Sequence, residues 1–208
     1  MKTKQLKSTC TLCHASFTRI GMRRHLRNCL KKHSDAQGKT AHYLHVYSLH
    51  NPDYFLHILM TDKATLHDLD QFLRDIWVEC CGHMSRFSRT HWGDEISMNK
   101  TLHAAFRDTN ELEYLYDFGD TTELWVAHVG NFQHTPLKGK ETALLLARNA
   151  EPQYPCDECG KGIAQFICQE CHWEGGWLCE KCAEHHECDK DMMMPVVNSP
   201  RTGVCGYA

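Results

Sequence analysis

The chain has 208 residues, 42% of them apolar, with 23 Lys and Arg against 26 Asp and Glu and with 13 cysteines. That composition supports a buried core and excludes a disordered, low-complexity or collagenous chain. No run of about 18 apolar residues occurs and the basic N-terminus lacks an apolar leader, so neither membrane insertion nor secretion is indicated and a cytoplasmic protein is expected.

The net charge of −3 hides a division. Residues 1–33 hold nine of the Lys and Arg and no Asp or Glu, which leaves 14 basic against 26 acidic residues in the remainder. The chain reads as a basic head on an acidic body. Eight of the cysteines stand in Cys-x-x-Cys pairs, and in a reducing compartment that pattern points to metal rather than disulfides.

The first predicted unit, residues 1–33, places Cys10-x2-Cys13 eleven residues before His25-x3-Cys29. A cysteine knuckle and a His/Cys pair one helical turn apart close a tetrahedron around Zn²⁺, which defines a C2HC-type finger with Phe17 and Met22 as its small core. His33 competes with Cys29 for the fourth position. Counted as in fingers that read DNA, the base-reading places fall on Thr18, Gly21 and Arg24, of which only Arg24 can grip guanine with two bonds. Specific triplet reading is therefore not expected. Arg19, Arg23, Arg27, Lys31 and Lys32, together with Arg24, suit phosphates, whose recognition needs charge and reach rather than sequence information. The alternative is a solvated basic finger that docks a protein.

The polar stretch 34–40 reads as a linker, so the body, residues 41–150, is expected to fold without the finger. Within it, 41–49 and 53–60 read as two strands with a turn at His50-Asn51-Pro52. Residues 65–82 carry Leu66, Leu69, Phe72, Leu73, Ile76 and Trp77 at helical spacing behind a Thr65/Asp68 start signal, with Gly82 as the stop. A hairpin turns at Asp117-Phe118-Gly119-Asp120, and 142–149 is one more strand. These elements predict an α+β fold in which an antiparallel sheet packs on an amphipathic helix.

Residues 151–208 form a cysteine-rich module. Cys156/Cys159, Cys168/Cys171 and Cys179/Cys182 are three chelating pairs, and His186 with Cys188 is the most economical fourth, so two zinc ions are expected and three in the whole chain. Interleaved and sequential pairings both remain open, and His185 or Cys205 can replace His186 or Cys188. Cys205 reads equally well as a buried thiol. Residues 151–191 carry ten acidic and three basic side chains, a charge that repels phosphates and favours a protein partner.

No catalytic constellation is legible. Asp117-Phe118-Gly119 matches the kinase metal-binding triplet but lacks the accompanying loops, and no zinc-protease, nucleophile-elbow or phosphate-loop motif is present. Cys80-Cys81-Gly82-His83 reads as packed helix-end residues in preference to a metal site or nucleophile.

Three stretches carry a resemblance: TLHDLDQFLRDIWVECCGHMSRF, LYDFGDTTELWVAHV and PVVNSPRTGVCGY. Over about residues 41–208 the chain resembles the plasmid pRiA4b ORF-3-like family, in its zinc-bearing subgroup. The resemblance implies a compact α+β domain, often associated with mobile elements, without an established activity or catalytic residues. The residues alone favour a non-enzymatic zinc protein whose finger grips DNA or RNA phosphates, on its own or within a ribonucleoprotein. Its body and tail would engage a protein partner. A protein-interaction adaptor with purely structural zinc is the rival reading, and an enzyme built around Cys80, Cys81 and His83 or Asp117 and Asp120 is a third. The oligomeric state is not legible.

Overall fold

The computed structural model describes residues 7–133, 135–171 and 174–207. The first six residues of the basic head lie outside that range. The fold is α+β. Its centre is a seven-stranded, wholly antiparallel sheet made of β3 (Ala41–Ser48), β4 (Phe55–Thr61), β5 (Ser85–Ser88), β6 (Glu95–Ile96), β7 (Glu111–Tyr116), β8 (Thr122–Phe132) and β9 (Ala143–Arg148). They lie in the order β6-β5-β7-β8-β3-β4-β9.

Side chains alternate across a strand, so each strand feeds two faces. Leu44 and Val46 of β3 and Leu56, Ile58 and Met60 of β4 point to one core, where they meet α2 (Leu66–Leu73) through Leu66, Leu69 and Leu73. Trp77 and the short α3 (Leu102–Ala105) complete that layer. The Thr65/Asp68 start signal is a reciprocal capping box, with the Thr65 N–H donating to the Asp68 carboxylate at 2.7 Å and the Asp68 N–H to the Thr65 hydroxyl at 3.2 Å.

The helix does not run to Gly82. It widens into one π-helical turn, Arg74–Val78, and the backbone is extended at Glu79. The Glu79 carboxylate then accepts the Gly82 N–H, and the Tyr116 hydroxyl accepts the N–H groups of Cys80 and His83. Those bonds hold residues 79–83 as an irregular loop instead of a final helical turn.

The finger consists of the hairpin β1 (Lys7–Thr9) and β2 (Ser16–Thr18) followed by α1 (Arg19–Lys32). Met22, Leu26, Cys29 and Leu30 of α1 are buried in one cluster with Ala41 and Tyr43 of β3, Leu59 of β4 and Leu146 and Ala147 of β9. The finger thus covers the second face of the sheet. Its knuckle also extends the sheet's backbone bonding, since the Thr11 N–H donates to the Leu146 carbonyl at 2.9 Å. Finger and body, read from the sequence as separate units, therefore share a buried cluster. Residues 41–61 alternate so that both faces are apolar, and the linker's polarity says nothing about what covers them.

The tail adds a three-stranded sheet, β11 (Trp177–Leu178), β10 (Phe166–Cys168) and β12 (Met193–Pro195), with the single-turn helix α4 (Glu180–Ala183). It is anchored by Tyr154, which packs tilted against Trp177 with 4.0 Å between ring centroids and donates its hydroxyl to that of Tyr54.

Candidate metal centres and basic surface

Four groups of cysteine and histidine converge, each with its donor atoms within 4.8 Å of one another. Cys10, Cys13, His25 and Cys29 form the first, with 3.8 Å between the sulfurs of Cys10 and Cys29 and 3.2 Å between Cys13 Sγ and His25 Nε2. A tetrahedron with arms of about 2.3 Å has an edge of about 3.8 Å, so the spacing is compatible with a tetrahedral metal shell. The Thr18 hydroxyl caps α1 by accepting from the Gly21 N–H, and Phe17 stacks on the His25 ring at 4.2 Å, which fixes the imidazole. His33 does not take the place of Cys29. Its Nδ1 lies 3.0 Å from the Cys29 carbonyl oxygen and 3.4 Å from the sulfur, beside the cluster.

The tail places Cys156, Cys159, Cys179 and Cys182 in one cluster and Cys168, Cys171, His186 and Cys188 in another, the interleaved arrangement. Cys159 and Cys179 approach to 3.9 Å, and Cys171 lies 3.5 Å from both Cys188 Sγ and His186 Nε2. Two glycines permit that closeness. A Cβ at Gly162 would sit 2.7 Å from that of Cys179, and Gly176, at φ +96°, would bring one 3.1 Å from that of Cys171. His185 is exposed and outside the cluster.

Crowded thiols resist joint ionisation. Burial and the neighbouring Cys13 and Cys10 push the Cys29 thiol up to about 12 in the metal-free chain, and the Cys171 thiol with burial pushes Cys188 up to about 12. A divalent cation reverses this by stabilising the thiolates, so binding releases protons and weakens in acid. Each group supplies four donors and so fills a tetrahedron, leaving no open position of the kind a catalytic zinc needs.

The fourth group, Cys80, Cys81, His83 and Cys205, corrects two expectations. Cys80 packs against the core from its half-buried position, but Cys81 is exposed and His83 half-buried, and none of the three belongs to a helix end. Cys205 joins neither tail cluster, since its sulfur lies 3.3 Å from His83 Nε2, and it is half-buried rather than a buried thiol. The reading of Cys80 to His83 as a helix end failed because the helix stops at Val78.

All six basic side chains of α1, Arg19, Arg23, Arg24, Arg27, Lys31 and Lys32, are exposed, and among the described residues none is ion-paired. They are not equivalent. Arg19 donates to the Pro52 carbonyl at 2.9 Å and Arg27 to that of Val129 at 3.5 Å, because these residues flank the stripe buried on the sheet. Arg23 lies on the same side, near the buried His57. The side chains of Arg24, Lys31 and Lys32 make no hydrogen bond among the described residues.

The hairpin at Asp117 is present, with Asp117 at φ +63° and its carboxylate accepting from the Gly119 N–H. Its partner was not legible in the sequence. Arg201, fully buried, donates to Asp117, to the Asp120 carbonyl and to the Thr122 hydroxyl. The loop at residues 80–83, the hairpin at Asp117 and the turn that carries Arg201 and Cys205 thus meet at one place.

No family model and no curated protein matches this chain. Among solved structures it is similar to a Methanosarcina mazei protein of unknown function, at 19% identity and a TM-score of 0.44, over 54% of this chain and 70% of that one. No described helix is long and apolar enough to cross a membrane.

Proposed function

We propose that the protein is a non-catalytic zinc protein, with zinc in the finger and at two sites in the tail, that contacts the phosphates of DNA or RNA through α1. Its acidic tail faces a protein partner, and its body is a relative of the plasmid pRiA4b ORF-3-like proteins. The observation that carries it is the set of exposed, unpaired cations on α1, with no acidic residue in its first turn and Lys31 and Lys32 in its last. An unneutralised cluster of this kind attracts polyanions by releasing their counterions. The docking of α1 on the sheet favours backbone contact over base reading, since its apolar face and two of its arginines are already engaged with the body. The four-donor makeup of the clusters supports a structural metal role.

The test is binding of full-length protein to unrelated duplex and single-stranded sequences across a range of salt. Replacing Arg24, Lys31 and Lys32 together with Ala should weaken all of them about equally. The slope of log affinity against log salt should flatten by about 0.9 per lost contact on duplex DNA and about 0.7 on single strands. Binding lost for one short sequence alone on Arg24→Ala would show base reading instead. The absence of any salt-dependent binding would leave the interaction adaptor as the function.

A further inference from the structure

We infer that Cys80, Cys81, His83 and Cys205 form a fourth zinc site, which clasps the C-terminal turn of the chain to the loop after α2. Three donors come from four consecutive residues and the fourth from a residue 122 positions beyond His83, yet all four donor atoms lie within 4.8 Å. The loop is shaped for this. Gly82, at φ +72°, reverses the backbone between Cys81 and His83, with no atom within 4 Å of where its Cβ would stand.

Cys205 adopts φ +50°, a left-handed conformation that a residue with a side chain takes only where its surroundings enforce it. Those surroundings are rigid. The Ser199 hydroxyl donates to the Trp77 carbonyl at 2.6 Å, and the Arg201 guanidinium is held by Asp117, Asp120 and Thr122. Gly203 passes so close to Ile167 that a Cβ there would stand 2.8 Å from its side chain. The tail is therefore pinned on the body's side and on the tail sheet's side, and the Cys205 thiol is presented to His83.

The donor chemistry suits zinc. On binding, three thiols each release a proton and an imidazole nitrogen is shared, which leaves three thiolates and one neutral ligand around a dication, a net charge of −1. Arg201, which contacts the Cys80 thiol as well as Asp117, supplies a neighbouring positive charge. The Tyr116 hydroxyl, 3.9 Å from Cys80 Sγ, and the Asp117 carboxylate, 3.5 Å from His83 Nε2, line the same site. Four donors close the shell, so the ion is a staple joining loop and tail beside the hairpin.

The site shares no residue with the finger, so its test is independent of nucleic-acid binding. Full-length protein prepared with zinc and reductant should contain four zinc ions per chain by elemental analysis. Iodoacetamide mapping should find Cys80, Cys81 and Cys205 protected until a chelator is added. Cys205→Ser should lower the count by one. His83→Cys should keep four ions, and with cobalt in place of zinc it should raise the sulfur-to-metal charge-transfer band to that of a four-thiolate site. Three ions in the unaltered protein, with Cys81 and Cys205 alkylated at the rate of a free thiol, would overturn the assignment. A disulfide among these cysteines in the reduced preparation would do the same. The alkylation map of the unaltered protein decides the question even if a variant does not fold.

Discussion

The buried guanidinium of Arg201 lies 2.5 Å from the carboxylate of Asp117, 84 residues earlier in the chain. The pair joins the tip of the β7–β8 hairpin to the turn at residues 199–205, and Arg201 also satisfies the Asp120 carbonyl and the Thr122 hydroxyl. Removing one partner of such a pair leaves the other charge buried without compensation. Arg201→Leu should therefore destabilise the protein by about 3–5 kcal/mol, read from the urea midpoint in the presence of zinc. Arg201→Lys should recover only part of this, because one ammonium cannot span three acceptors. A Leu variant as stable as the parent would show that the hairpin and tail hold together without the pair.

The finger shares its core with the sheet, so Leu26→Ala should cost about 2–5 kcal/mol even with the finger zinc in place. Arg24→Ala, on the exposed side of the same helix, should stay within about 0.5 kcal/mol. Removal of residues 1–40 uncovers Tyr43, Leu59 and Leu146 and should yield a chain that self-associates, as seen by size-exclusion chromatography. A monomeric, cooperatively melting truncation would mean that the second face tolerates water.

The tail pairing can be read by cadmium NMR, which separates four-thiolate from three-thiolate, one-imidazole sites. Cys179→Ser should remove the four-thiolate signal, and Cys168→Ser should leave it intact and remove a three-thiolate one. Sequential pairing would reverse the two results.

Acid should destabilise the fold even before zinc is lost. Burial pushes His45 down to about 4 and His57 well below its ordinary value, with neighbouring His45 and Arg23 adding to the effect at His57. Both imidazoles are neutral in the folded chain at a pH where the unfolded chain already binds protons. Their contribution is thus complete above about 6.5 and is lost as pH falls from there toward about 4. His57→Asn, which keeps an acceptor for the Tyr43 hydroxyl, should make stability less steep in pH over the part of that window in which the zinc count is constant. An unchanged slope would exclude His57 as the source.

Local pattern made much of this protein legible from its residues. The chelating pairs of finger and tail, the two long strands 41–48 and 55–61, the capped start of α2 and the turn at Asp117 each depend on residues within a turn or two of one another, and hydrogen bonding, periodicity and chelate geometry act over that range. The short β5, β6 and α3 carried too few residues to show a period.

Only the tertiary structure decided which chelating pairs share a shell, because both pairings satisfy the same spacing. It also decided that α1 covers the second face of the sheet, since an apolar face does not specify what buries it. The grouping of Cys205 with His83 and of Arg201 with Asp117 had no local sign at all. Donors and charges more than 80 residues apart meet through the path of the chain, and that path is set by the packing of both sheet faces at once.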